Sequence, residues 1–207
     1  MSRLKLAVLL SGNGSTLENL FEKIDAGKLD AEIAVVLSSR ADAFGLERAR
    51  KRGVPALTVA RKAFKDADEF SRAVYTAFAP YKVELLCHAG FMCMLRIPPE
   101  FENRVVNVHP ALLPAFGGKG FYGHHVHEAV LKHGCKISGC TVHFVDNQYD
   151  SGPIIAQSAV PVLDDDTAVS LGARVQQAER ELYPAAIQLI AERRLEIVNR
   201  VVKTCRK

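Results

Sequence analysis

Val105-Val106-Asn107-Val108-His109-Pro110 ends an apolar run on an amide and an imidazole placed two residues apart. Alternate side chains of an extended segment share a face, so Asn107 and His109 are expected to point the same way. A second apolar run, Val142-His143-Phe144-Val145, leads to Asp150-Ser151-Gly152-Pro153 and brings a carboxylate to the end of another strand. An amide N–H can meet a developing oxyanion, an imidazole can hold charge or move a proton, and a carboxylate can orient that imidazole or receive the proton. The set suits acyl transfer. Each member also has a plainer use: Asn107 as a cap on the Leu112-Leu113 turn, His109 as a satisfied half-buried histidine, and Asp150 as the holder of its own turn.

A different chemistry stands near the start of the chain. Ser11-Gly12-Asn13-Gly14-Ser15 falls between an apolar strand and a helix, where free backbone N–H groups and the helix dipole favour an anion. Ser15 and Glu18 carry a capping-box signal, and a capped tight turn needs no ligand, so phosphate binding stays open from these residues alone. A dinucleotide fingerprint would place its third glycine at Leu17, and the second strand ends in Ser38-Ser39-Arg40 where an acid would grip a ribose. Nicotinamide binding is disfavoured. No Gly-Lys-Ser or Gly-Lys-Thr element follows the loop, which leaves a phosphorylated small molecule.

The elements that must position these residues alternate. Residues 4–10 are extended, 16–26 helical and 31–37 extended; 42–52 are helical, 56–59 extended, 66–78 helical and 83–89 a nearly continuous apolar strand. Strands of that kind need cover on both faces, as in a mostly parallel central sheet flanked by helices. Residues 105–108 extend that sheet. Beyond Pro114 come a glycine-rich stretch over 115–123, a helix over 124–133, strands over 137–145 and 154–162, and a long helical stretch over 166–190. The last has an apolar face through Ala168, Leu171, Val175, Ala178 and Leu182 and is bent or interrupted at Pro184. Residues 195–202 read as a terminal strand. The expectation is one α/β domain over residues 1–207, with a phosphate-binding half over 1–110 and a catalytic half over 111–207.

Composition narrows the function classes. The chain of 207 residues is 48% hydrophobic, and no apolar run is long enough to span a bilayer. Arg3 and Lys5 precede only a short apolar run that meets glycine turns, which is not a secretion signal. Five cysteines, at 87, 93, 135, 140 and 205, suit a reducing cytosol. Cys135 and Cys140 have no second pair to complete a zinc site, so no metal is expected. The net charge of +4 is spread along the chain without basic clusters interleaved with aromatics. That argues against nucleic acid and leaves anionic substrates.

In their order and spacing these motifs resemble the folate-dependent formyltransferases, most closely the branch acting on glycinamide ribonucleotide. The resemblance runs through Ser11 to Ser15, Ala41-Asp42-Ala43-Phe44-Gly45-Leu46-Glu47-Arg48-Ala49, Gly90-Phe91-Met92, Asn107-Val108-His109-Pro110, Leu112-Leu113-Pro114, the Val142 to Pro153 stretch and Ala173-Arg174-Val175-Gln176. It implies a Rossmann-type formyltransferase fold in a cytoplasmic monomer or homodimer. It also implies a reaction of purine (IMP) synthesis, in which 10-formyltetrahydrofolate, as co-substrate, gives its formyl group to the amine of glycinamide ribonucleotide without a metal. Asn107, His109 and Asp150 become the catalytic residues, and no covalent enzyme intermediate is required.

The resemblance further implies that Ser11, Gly12, Asn13, Gly14, Ser15 and Thr16 clamp the nucleotide phosphate, with Glu179 near its amino end. A helix-surface salt bridge is the plainer use of Glu179. Phe91, Met92, Cys93, Met94 and Leu95 would contact the pterin on one side, and Val145, Asp146, Asn147, Gln148 and Tyr149 on the other. Cys93 stands where arginine is frequent in the family and reads as pocket wall, not nucleophile. His127 and His143 are expected in support, and residues 115–123 as a cover that is either mobile or rigid. The rival readings are a related transferase acting on methionyl-tRNA or a sugar nucleotide, a formyltetrahydrofolate deformylase, and a binding module for phosphate ligands. The first usually carries an RNA-binding domain after the core and the deformylase a regulatory domain before it, neither of which is expected here.

Overall fold

The computed structural model describes residues 3–205. The chain forms two compact units, one ending at Val106 and the other beginning at Asn107. In the first, β1 (Leu4–Leu10) pairs in parallel with β2 (Ala31–Ser38) and β4 (Leu85–His88), and β2 pairs in parallel with β3 (Ala56–Thr58). Leu6 to Leu10 are all fully buried. Consecutive buried side chains point to opposite faces, so both faces of β1 are covered, as its apolar run requires. The helices are α1 (Ser15–Asp25), α2 (Phe44–Lys51) and α3 (Ala67–Phe78). Asp66 caps α3 by accepting from the Glu69 N–H at 2.8 Å.

The expected capping box on α1 does not form. The helix begins at Ser15, and Gly14, at φ 79, is its N-cap without a side-chain bond. Glu18 is drawn instead to Arg48 at 3.1 Å and Arg52 at 3.3 Å. Two guanidinium partners outcompete a single backbone N–H for that carboxylate.

β5 (Val105–His109), of which Asn107 to His109 belong to the second unit, lies beside β6 (Ile137–Phe144), and β6 beside β7 (Ile154–Pro161). The β6–β7 pair is antiparallel and slips register between Val142 and His143. The α/β fold read from the sequence is therefore present, with parallel pairing among the strands of the first unit and one antiparallel pair in the second. Helices α4 (His124–Lys132) and α5 (Ala168–Ala191) complete the unit. Val130, Cys140, Leu171 and Val175 form a core against which Ala178, Leu182 and Phe116 pack.

α5 runs through Pro184 for 24 residues without a break, so of the two expected outcomes, a bend or an interruption, the interruption does not occur. Tyr183, Pro184, Ala186 and Ile187 are all buried there, and packing on that scale outweighs the lost helical bond. The terminal segment also differs from the single strand expected. β8 (Leu195–Val198) and β9 (Val201–Thr204) form an antiparallel hairpin of their own, turned at Asn199, which accepts φ 58. Among the described residues no helix is long and apolar enough to cross a membrane.

Candidate active site

β5 carries Asn107 half-buried and His109 buried. Two residues apart on one strand, they are brought to His143 on β6 and to Asp150 in the loop that follows it. The Asn107 Nδ2 lies 3.3 Å from His143 Nε2. His143 Nδ1 lies 2.8 Å from the Phe144 carbonyl oxygen, which can only accept, so that ring nitrogen carries the proton. His143 Nε2 is then an acceptor and takes one N–H of the Asn107 amide. Burial holds the His143 imidazole below its ordinary pKa, against the opposing pull of the Phe144 carbonyl and Asp150, which keeps this neutral arrangement in place.

Asp150 reaches the same place through a tight turn. A Cβ on Gly152 would stand 1.8 Å from the Phe144 carbonyl oxygen, so only glycine lets the chain pass that close to the end of β6. Asp150 takes φ 52, a left-handed conformation that aspartate tolerates better than most residues. Its Oδ2 accepts from the Gly118 N–H at 2.9 Å and lies 3.6 Å from His109 Nδ1, and its Oδ1 lies 3.8 Å from His143 Nε2. His109 Nε2 in turn donates to the Phe116 carbonyl at 2.8 Å. An imidazolium at His109 would thus carry its second proton at Nδ1, beside the carboxylate.

The three groups differ in access. The side chain of Asp150 is 14% exposed, those of His109 and His143 only 4% and 2%. Asp150 also walls a pocket of about 390 Å³ with Leu113, Pro114, Pro153, Ile154 and Val202. Proton exchange with water therefore runs most directly through the carboxylate. The plainer use of Asn107, as a cap on the Leu112-Leu113 turn, is not what the structure shows. Thr141 Oγ1 donates to the Ala111 carbonyl at 2.7 Å and accepts from the Leu113 N–H at 3.0 Å, while Gln157 Nε2 reaches the Leu113 carbonyl at 2.9 Å.

Glu179 faces β6 from α5, close enough to help raise the Cys140 thiol pKa to about 12, an effect led by burial of the thiol. Burial raises the pKa of Glu179 itself to about 7. Among the described residues no ion pair to Glu179 is found, so the surface salt bridge that is its plainer use is not seen there. His127 on α4 is buried, with Nδ1 lacking a hydrogen-bond partner and its pKa lowered first by burial and then by His124 and His109. Val145 to Tyr149 form the loop ahead of Asp150, where Asp146 Oδ1 accepts from the Gln148 N–H at 2.8 Å and Tyr149 is exposed. Among the described residues no cluster of three or more His, Cys, Asp or Glu is placed to hold a metal ion, and no cysteine forms a disulfide.

The loop over residues 11–15 lies in the other unit. Ser11 is buried, with its hydroxyl 2.7 Å from that of Ser39 and accepting from the Met92 N–H at 2.9 Å. Its side chain thus ties β1 to the exits of β2 and β4. Gly12, Asn13 and Ser15 are exposed and Thr16 half-buried at the start of α1. Along the segment after β4, Phe91 stacks on Phe70 and Leu95 is buried, Met92 is exposed, and Cys93 and Met94 are half-buried.

Sequence reasoning passed over the backbone groups of Phe116 and Gly118 and the side chains of Thr141, Gln157 and Arg48. Gly117, where a Cβ would stand 2.5 Å from Leu113 Cδ2, marks a close backbone approach; Thr141 and Gln157 lie in no distinctive motif, and Arg48 lies in the Ala41 to Ala49 stretch with nothing there to show its partner.

A family model described as formyl transferase matches residues 4–187. The chain belongs to the formyl transferase family. It is 42% identical to glycinamide ribonucleotide transformylase 1 from Symbiobacterium toebii, and its fold superposes on that crystal structure with a TM-score of 0.92 over 99% of this chain and 95% of the other. It is 35% identical to the phosphoribosylglycinamide formyltransferase of Escherichia coli (strain K12), over 94% of this chain and 90% of that protein. It is 39% identical over 95% of its length to the trifunctional purine biosynthetic protein adenosine-3 of Gallus gallus, of which it spans only 19%.

Proposed function

We propose that this formyl transferase moves the formyl group of 10-formyltetrahydrofolate onto the amine of glycinamide ribonucleotide, by direct attack through a tetrahedral intermediate, in de novo purine synthesis. The observation that carries this reading is the convergence of Asn107, His109 and Asp150, linked through His143 and the Phe116 and Gly118 backbone. The relatives named for this acceptor support the choice of amine.

The amine lone pair forms the new bond at the formyl carbon, and the carbonyl electrons move onto oxygen. The Asn107 N–H not used by His143 donates to that oxyanion, and a positive charge on His109 stabilises it further. The attacking nitrogen must lose a proton, which passes to Asp150 directly or through water. Folate N10 must gain one as its bond to the formyl carbon breaks, and His109 supplies it. Gly12, Asn13, Ser15 and Thr16 at the start of α1 hold the nucleotide phosphate with backbone and side-chain donors, and Gly14 gives the turn. Glu179 takes the amino end of the nucleotide. The segments over 91–95 and 145–149 hold the folate.

The deciding experiment offers both substrates to the folded protein and follows formylated nucleotide by mass, with methionyl-tRNA and an amino-sugar nucleotide as parallel acceptors. Formylated glycinamide ribonucleotide is expected as the dominant product. Its absence, or preferential formylation of another acceptor, contradicts the assignment.

A further inference from the structure

The loop over residues 11–15 does not hold its shape alone. The Gly45 N–H at the start of α2 donates to the Gly12 carbonyl at 3.1 Å, and Arg48 Nε donates to the Asn13 carbonyl at 3.0 Å. Arg48 Nη2 donates to Asn13 Oδ1 at 3.0 Å, and Nη1 to Glu18 Oε2 at 3.1 Å. The Gly14 carbonyl is taken by the Glu18 N–H at 3.0 Å. Gly14 also passes so near α2 that a Cβ there would stand 2.6 Å from the Gly45 Cα. Arg48 is itself seated over the Phe44 ring, 5.1 Å from its centroid.

One consequence concerns polarity. The carbonyls of Gly12, Asn13 and Gly14 all point to a donor of the protein, and the Asn13 side-chain oxygen does too. With those acceptors engaged, and the Ser11 N–H taken by the Gly90 carbonyl at 3.0 Å, the N–H groups from Gly12 to Ser15 are the ones left to meet an anion, and the Asn13 amide can present only its NH₂ end. An unbraced asparagine can flip and offer an oxygen that repels an anion. Glu18 balances the guanidinium charge, so Arg48 acts through geometry more than through its field.

We propose that Arg48 is a positioning residue for the anion site: it locks Asn13 as a hydrogen-bond donor and keeps both Asn13 acceptors turned away from the anion, without itself touching the nucleotide. This inference rests on the reading that the loop binds the nucleotide phosphate. Lysine cannot replace the arginine fully, because one ammonium cannot reproduce the forked donation to the Asn13 carbonyl, the Asn13 amide and Glu18 together.

Calorimetric titration of wild type, Arg48→Met, Arg48→Lys, Asn13→Ala and the Asn13→Ala/Arg48→Met double variant with glycinamide ribonucleotide tests it, with 10-formyltetrahydrofolate titrated in parallel and urea midpoints recorded. Arg48→Met should weaken nucleotide binding roughly tenfold, the scale of lost hydrogen bonds, with folate affinity unchanged. Arg48→Lys should fall between it and wild type. In the Asn13→Ala background Arg48→Met should cost less than about threefold, because its main target is gone. Wild-type nucleotide affinity in folded Arg48→Met, or equal losses in both backgrounds, overturns the proposal. If Arg48→Met does not fold, wild-type affinity in Arg48→Lys overturns it equally. Failure of the wild type to bind the nucleotide while it binds folate removes the phosphate reading itself, and the positioning role with it. Binding without turnover leaves the Arg48 comparison fully readable.

Discussion

His109 Nε2 donates to the Phe116 carbonyl oxygen at 2.8 Å, which leaves Nδ1 as the ring nitrogen facing Asp150. The same backbone segment supplies the Gly118 N–H to Asp150, so one short loop orients both partners of the pair. Gly118 holds φ 95, a conformation that side-chain-bearing residues adopt at a cost. Gly118→Ala is therefore expected to displace that N–H and lower kcat about tenfold, with the KM for nucleotide little changed. Steady-state kinetics separate the two, and a variant altered only in KM would count against this orienting role.

His143 is expected to act through Asn107. Its bare Nε2 fixes the amide, so His143→Ala should lower kcat by roughly five- to tenfold, less than loss of Asn107 itself. A His143→Ala change made on top of Asn107→Ala should add little. Kinetics of the double-mutant cycle decide the point, and full additivity would place His143 in an independent role.

Glu179 links pH to stability. Its folded pKa is raised from 4.5 to about 7, so the folded state holds a proton that the unfolded state has already released. That makes folding less favourable as pH climbs from about 4.5 to about 7, with the full penalty present above. Glu179→Gln should match wild type in urea midpoint near pH 4.5 and exceed it at pH 8. Nucleotide affinity in wild type should strengthen across the same interval, as the ionised carboxylate accepts from the N–H groups at the amino end of the nucleotide, and that rise should vanish in the variant. A stability difference independent of pH refutes the assignment.

The fold was legible where chemistry repeats. The unbroken apolar run from Leu6 to Leu10 required a strand covered on both faces, and the helix expected over 66–78 is α3, Ala67–Phe78. Asn107 and His109 were legible as one-sided because strand alternation fixes their direction, and the turn glycine at 152 put Asp150 within reach. Their partners were not, since the Phe116 carbonyl and the Gly118 N–H belong to the backbone and carry no residue signature. Glu18 misled for a related reason: local spacing suggested a cap, while its stronger partners, Arg48 and Arg52, lie some 30 residues away in sequence. Long-range competition of that kind leaves no local pattern.

The central claim is that Asn107, His109 and Asp150 act on one chemical step. Single-turnover formyl transfer with both substrates saturating measures that step apart from binding and product release. Asn107→Ala should lose about 2.7 to 4 kcal/mol of transition-state stabilisation, the range seen when an oxyanion donor is removed. His109→Ala and Asp150→Asn should slow the same step with non-additive effects, while binding of both substrates is largely kept. Chemical rates close to wild type in all three folded variants would place the reaction elsewhere in the molecule.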